Sequence, residues 1–252
     1  MIKIGIIGGS GLDDPDILQE PQLVEVDTKF GQPSSALMIG KIAGVETVIL
    51  ARHGRRHQYS PTQVNNRANI MALKQLGVSH IIATTACGSL RAEIDRGHLV
   101  ILDQFLDFTR FRKNTFFDSF DKGIRHASMA YPFDGVLRRT LYEVGLALGL
   151  TLHPDGCVVT IEGPRFSTVA ESKMFRLWGA DVINMSTAPE AMLAQELEIP
   201  YAAVAMATDY DCWKVDEEPV SWNEILEVFQ KNTDNVKQLL VKVIEKLNKE
   251  SE

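Results

Sequence analysis

The chain has 252 residues, 45% of them hydrophobic and 23% charged, with a formal net charge of −7. That length buries a sizeable core without dividing, so residues 1–252 read as a single domain. The acidic balance offers no positive field for nucleic acid or an anionic membrane surface, and the longest apolar runs fall well short of the ~18 residues a membrane span needs. Cys87, Cys157 and Cys212 show no CxxC spacing, and this sparse, odd set points to a reducing, cytoplasmic setting. The histidines are scattered, without HExxH or a Cys/His cluster at zinc spacing, so neither a metal nor a bound cofactor is expected.

In chain order, Lys3–Ile7 reads as a first strand. It is too short for the apolar region of a signal peptide. Gly8-Gly9-Ser10-Gly11 follows it. Glycines after a strand let backbone N–H groups approach an anion, and the Ser10 hydroxyl adds a donor; a plain tight turn is the alternative. The dinucleotide pattern GxGxxG fails because Asp14 holds the last position, and the Gly-Lys-Ser/Thr of a P-loop is missing. Strands are predicted over Ser35–Ile42 and Glu46–Ala51, the second running into Ala51-Arg52-His53-Gly54-Arg55-Arg56-His57. There Arg52 can grip a phosphate bidentately and His53 can donate beside it, against the alternative of a solvated basic loop.

A helix is predicted over Asn65–Leu76, stopping at Gly77, and a strand over His80–Thr85. The strand leads into Thr84-Thr85-Ala86-Cys87-Gly88-Ser89, whose hydroxyls and backbone N–H groups suit an oxyanion, although a Thr-rich strand end with a glycine turn reads the same way. Cys87 has no base placed by sequence and reads as a buried structural thiol. After a strand at Leu99–Leu102, the stretch Asp103–His126 carries six phenylalanines and reads as a long loop with a functional or interface role. Helix Gly135–Leu148 and strand Gly156–Thr160 precede Glu162-Gly163-Pro164-Arg165-Phe166-Ser167, which offers an aromatic face and a hydroxyl. Glu162 or Arg165 there can instead form a structural ion pair.

Helix Thr168–Trp178 and strand Val182–Met185 follow. The segment Ile183-Asn184-Met185-Ser186-Thr187 is either a soft apolar surface between polar groups or a Met filling a core gap. Helix Pro189–Glu198 leads to the most informative stretch, strand Tyr201–Thr208, whose apolar run ends in Asp209 and Asp211. At i, i+2 the two acids share a face of an extended chain, and in α/β folds ligands sit just past such strand ends. Two acids at the mouth of a buried strand need a donor-rich partner. The final helix, from Trp222 to about Lys249, presents Ile225, Val228, Phe229, Val236, Leu240 and Val243 along one side.

Alternating strands and helices imply an α/β fold with a mainly parallel central sheet. No GxSxG elbow nominates a hydrolase. Three anion-friendly strand ends, an aromatic–Met pair and a carboxylate pair converge on a phosphate beside a sugar and a flat nitrogenous base.

The stretches Gly5–Pro15 (GIIGGSGLDDP), Ala51–His57 (ARHGRRH), Thr84–Leu90 (TTACGSL), Val159–Ser167 (VTIEGPRFS), Phe175–Ser186 (FRLWGADVINMS) and Met206–Trp213 (MATDYDCW) together resemble the 5′-methylthioadenosine phosphorylase branch of the trimeric purine nucleoside phosphorylase family. The resemblance implies an α/β fold with a central mixed, partly barrel-like sheet flanked by helices. It implies a homotrimer or dimer of trimers, and a reaction in which inorganic phosphate, a co-substrate, attacks the ribose anomeric carbon and a purine leaves. Carried over by position, Ser10, Arg52, His53, Thr85, Ala86 and Ser186 line the phosphate site. Phe166, Asn184 and Met185 meet base and ribose. Asp209 serves purine N7 as acid or counter-charge, and Asp211 accepts from a 6-amino group.

Ser167 stands where 6-oxopurine relatives carry an acid, which favours adenine. Trp222, Ile225 and Leu226 fall at the 5′ pocket, and His126 matches a residue supplied across the trimer interface. The chain ends sooner after Leu226 than some relatives, which leaves the 5′ pocket more open. Methylthioinosine or broader purine nucleoside phosphorolysis is the alternative within the family. A catalytically idle nucleoside-binding protein and a phosphate-independent nucleosidase are the alternatives outside it.

Overall fold

The computed structural model describes residues 2–8, 15–121, 123–214 and 222–251, with side chains throughout except at 15, 222–231 and 251. Eleven strands join one mixed sheet: β1 (Ile4–Gly8), β2 (Gln19–Val24), β3 (Leu37–Ile42), β4 (Val45–Ala51), β5 (His80–Ser89), β6 (Leu99–Ile101), β7 (Gln104–Phe108), β8 (Leu152–His153), β9 (Cys157–Ile161), β10 (Val182–Asn184) and β11 (Tyr201–Tyr210). Among the described residues, five α-helices flank it: α1 (Asn66–Gln75), α2 (Gly135–Ala147), α3 (Val169–Leu177), α4 (Thr187–Glu196) and α5 (Trp222–Ser251).

The continuous apolar runs are explained by burial on both faces of the sheet. On β11, Ala203, Ala205 and Ala207 pack with α1 and α4 through Ile70, Leu73 and Leu193, while Ala202, Val204 and Met206 pack with α2 and α5 through Leu137, Leu141, Leu240 and Val243. Val236, Leu240 and Val243 of α5 are buried as predicted; Ile225, Val228 and Phe229 lie outside the described side chains. Caps fix the helix starts: Asn65 accepts from the Ala68 N–H, Asp134 from Leu137, and Thr168 forms a reciprocal box with Glu171.

Strand β5 organises the site. One edge pairs with β11 along almost its whole length, in parallel. Its other edge is shared: β1 pairs from His80 to Ala83, and β10 pairs antiparallel at Gly88 and Ser89. Beyond β10 the sheet continues to β9 and β7. Between Ala83 and Gly88 this edge of β5 therefore borders a cleft where the sheet forks, the kind of switch in strand order at which α/β folds place ligands.

Three strands went unread in the sequence. β2 is an exposed edge strand containing Pro21, tolerable because an edge strand need not donate on both sides. β7 lies inside the predicted aromatic loop; Phe105 and Leu106 pair with Val158 and Val159 of β9, so the loop is shorter than expected and begins after Phe108. β8 is two residues long. The strand expected to end at Thr85 instead runs to Ser89, carrying its polar end along the cleft. Among the described residues, no helix is long and apolar enough to cross a membrane, and no three His, Cys, Asp or Glu side chains gather to hold a metal.

Candidate active site

A cavity of about 580 Å³ occupies the fork. One wall is acidic. β11 carries an irregularity between Ala207 and Asp209, which leaves Thr208 out of the pairing register shortly before the strand ends at Tyr210. Asp209 and Asp211 close over Gly88 of β5, where an added Cβ would lie 3.3 Å from Asp209 Oδ2 and 3.5 Å from Asp211 Cβ. Asp211 is anchored: its N–H donates to Ser89 O at 2.9 Å, and Ser167 Oγ donates to its carboxylate, lying 2.7 Å from each oxygen.

Asp209 receives a single side-chain donor among the described residues, Thr208 Oγ1 at 2.8 Å. Burial lifts the Asp209 carboxyl to about 6, with Thr208 opposing and the nearby Asp211 charge adding to the rise. An acid titrating near neutrality beside a fixed carboxylate is equipped to donate a proton. Phe166 lines the rim and is 58% exposed. Cys87, on the same wall, is buried, and its thiol is raised well above the usual range by burial and then by Asp209, as suits a structural thiol.

The other wall is cationic but neutralised. Arg52, just past β4, is 2% exposed. Its side-on fork grips Glu190 of α4, Nε to Oε1 at 2.5 Å and Nη2 to Oε2 at 3.1 Å, while Nη1 donates to Thr84 O at 2.9 Å. Tyr201 Oη donates to Glu190 Oε2 at 2.9 Å. The bidentate grip predicted for a phosphate is thus directed at Glu190, and an anion in the cavity meets what remains of the guanidinium. Glu190 was not singled out in the sequence. An acid inside the otherwise apolar run of residues 188–194 was the available signal, because a buried acid requires a partner.

His53 differs from expectation in its protonation. Its Nδ1 lies 2.9 Å from Tyr59 O, and a carbonyl can only accept, so Nδ1 carries the hydrogen. Burial, followed by the Arg52 charge, pushes His53 down to about 4. The ring is therefore neutral at pH 7 and Nε2 is an acceptor rather than the expected donor. It stacks on His57, ring centroids 4.6 Å apart.

Thr85 Oγ1 and Ser186 Oγ lie 3.2 Å apart at the cavity wall, with Ala86 beside them. Ser186 precedes α4 and makes no side-chain capping bond, so the helix N-terminus opens toward the same region. Asn184 lines the cavity, but its amide is committed internally: it accepts from Thr160 Oγ1 at 2.8 Å and donates to Thr85 Oγ1 at 3.3 Å and to Thr187 Oγ1. It holds β9, β5 and α4 in register.

Met185 sits between the two walls. Gly163, at φ 67°, allows its approach, since a Cβ there would fall 2.4 Å from Met185 Sδ. Glu162 forms the ion pair anticipated for it, with Arg112 Nε at 2.9 Å, and also accepts from Thr62 Oγ1 and from the Arg110 and Phe111 N–H groups. Burial works against its charge, yet these bonds hold the carboxyl down at about 2. Arg165 pairs with Glu171 on the surface.

His126 lies on this chain's exterior, edge-on to Phe120, and does not reach its cavity. Ser10 lies outside the described residues, and the side chains of Trp222, Ile225 and Leu226 outside the described side chains.

The cavity at the sheet fork thus carries an acid near neutrality on one side and, on the other, a buried arginine held by the first turn of α4. Residues 3–245 match the model of the family described as the phosphorylase superfamily. The chain belongs to the phosphorylase superfamily. The S-methyl-5′-thioadenosine phosphorylase of Xenopus tropicalis is 55% identical over 96% of this chain and 88% of its own length, and that of Drosophila melanogaster is 48% identical over 99% and 87%. Among solved structures, a methylthioadenosine phosphorylase from Schistosoma mansoni in complex with adenine superposes with a TM-score of 0.93 at 39% identity, covering 98% of this chain and 92% of that one. A mutant of the Schistosoma enzyme in complex with methylthioadenosine superposes with a TM-score of 0.92 at 38% identity, over 98% and 92%. The family resemblance read from the sequence is borne out, as is the mixed α/β fold it implied.

Proposed function

We propose that this phosphorylase cleaves the N-glycosidic bond of 5′-methylthioadenosine with inorganic phosphate, giving adenine and 5-methylthioribose-1-phosphate. The observation that carries the reading is the contrast between Asp209, raised to about 6, and Asp211, held as an acceptor by Ser167 and beside it on the same wall. In this reaction the C1′–N9 bond breaks as a phosphate oxygen closes on C1′, and negative charge builds on the departing purine. Asp209 supplies a proton to N7 and removes that charge. Asp211 accepts from the 6-amino group. A 6-oxo purine would set an oxygen acceptor against that carboxylate, a mismatch that sites built on hydrogen bonding reject strongly.

Phosphate is held by Arg52, Thr85, Ser186, the backbone around Ala86 and the start of α4. Beneath the ribose it stabilises the oxocarbenium-like transition state and is positioned for attack. Met185 packs on the ribose and Phe166 near the base. Ser10 completes the phosphate site, and Trp222, Ile225 and Leu226 form the methylthio pocket. The active form is a homotrimer, alone or paired, in the cytoplasm. Exposed Phe111, Phe120, Ile124 and Tyr131 after β7 mark the surface that brings His126 to a neighbouring cavity. No metal or cofactor takes part.

The test is a purine-release assay comparing 5′-methylthioadenosine, adenosine, methylthioinosine and inosine at saturating phosphate. The expected result is turnover of the two adenine nucleosides, methylthioadenosine first. Turnover of the 6-oxopurine nucleosides alone would overturn the assignment of Asp209, Asp211 and Ser167.

A further inference from the structure

Arg52 carries five N–H groups, three of which are committed inside the protein: two to Glu190 and one to Thr84 O. One N–H on each terminal nitrogen remains, bonded to none of the described residues, on a guanidinium that lines the cavity. A planar guanidinium offers donors at fixed angles, so the orientation of these two is set by whatever holds the rest of the plane. That orientation is imposed from behind by Glu190, which is 1% exposed, and Glu190 is fixed in turn by the Tyr201 hydroxyl at the start of β11. Glu190 sits on the first turn of α4, the helix whose N-terminus opens on the cavity.

The charges lead to the same point. Arg52 and Glu190 cancel as a buried pair, and His53 beside them is neutral. The wall therefore holds an anion through aimed donors rather than through surplus positive charge. Removing Glu190 leaves Arg52 its charge and loses the aim, whereas an electrostatic account predicts tighter anion binding once the opposing carboxylate is gone.

We propose that Glu190, fixed by Tyr201, is a positioning residue for the phosphate half of the reaction: it aims the two remaining Arg52 donors into the cavity and acts on phosphate without touching it. This rests on the reading of the Arg52 wall as the phosphate site.

The experiment uses the full chain, with phosphate binding measured by calorimetry and steady-state kinetics in which phosphate and methylthioadenosine are each varied. If the native protein binds no phosphate and releases purine without it, the underlying reading fails, whatever the variants do. If the native protein is phosphate-dependent, E190Q should weaken phosphate binding and raise the phosphate KM by about 10- to 100-fold, the scale of lost bonds to a charged group. The nucleoside KM should stay within about twofold. Y201F keeps the fork but frees one Glu190 oxygen; it should raise the same KM by a few-fold and leave the nucleoside KM unchanged. An unchanged or lowered phosphate KM in E190Q, or equal rises in both KM values, would overturn the proposal. Where E190Q does not fold, Y201F decides it by the same split.

Discussion

Asp209 and Arg52 sit on two walls of one cavity, Asp209 near the end of β11 and Arg52 just past β4, and buried charge is managed differently at each. Arg52 has firm partners inside the protein: a carboxylate in fork geometry, a backbone carbonyl, and a tyrosine behind the carboxylate. Asp209 has a single hydroxyl donor among the described residues and a second carboxylate nearby, and it relieves its burial by titrating near 6. On the proposed reading, a charge that stays fixed while an anion comes and goes is given partners, and a group that changes its protonation during turnover is left short of them, at some expense of stability.

The largest expected effect comes from removing the exchangeable proton. Asp209→Asn should lower kcat by about 10²- to 10⁴-fold, with the nucleoside KM moving far less, because the acid acts when the purine leaves. A rise in KM with kcat intact would assign Asp209 to ground-state binding instead. On the other wall, Arg52→Leu strands the Glu190 carboxylate in the core, and breaking a buried pair from one side costs about 3–5 kcal/mol. Denaturant melts should show a loss on that scale, whereas an exposed arginine would show almost none.

The pH dependence of stability separates the walls by sign. The folded Asp209 value, about 6, lies above its unfolded one, so its contribution is complete below about pH 4 and is lost as pH rises through 6. The folded His53 value, about 4, lies below its unfolded one, so its contribution is present above about pH 6.5 and is lost as pH falls through 4. In thermal melts, Asp209→Asn should therefore stabilise the protein at pH 8 and make almost no difference at pH 4. His53→Gln should flatten the acid side instead.

The smallest effect is expected at Ser167. Ser167→Ala frees Asp211 from its side-chain donor and should reduce kcat/KM for adenine nucleosides by about 10-fold, the loss of one bond to a charged group. An unchanged adenine-to-hypoxanthine preference would detach Ser167 from specificity.

How much of this could be read beforehand depended on where the chemistry was written. β11 and its two acids were legible because a run buried on both faces and ending in carboxylates is improbable without a ligand. The Arg52 and Ser186 clusters were legible because each follows a strand, and the Thr85 cluster because its hydroxyls read as a strand end, although β5 runs on to Ser89. The partners behind them were not. Glu190 is 138 residues from Arg52, and no local pattern announces a pairing between α4 and the residue that follows β4. The neutral state of His53 comes from burial and the Arg52 charge, and its tautomer from the Tyr59 carbonyl, none of which a side-chain pattern encodes. β7 was hidden because its half-buried, phenylalanine-rich run resembles the loop that follows it. The fork in β5, which makes the cavity, arises from two strands sharing one edge and has no signature in a single segment.

The central claim is that the two walls act in one reaction, with phosphate on the Arg52 wall attacking as adenine leaves from the Asp209 wall. The most direct measurement incubates the protein with 5′-methylthioadenosine with and without inorganic phosphate and quantifies both products. Adenine and 5-methylthioribose-1-phosphate should form in equal amounts, and adenine release should vanish when phosphate is removed. Adenine released at the same rate without phosphate, alongside free methylthioribose, would contradict the account.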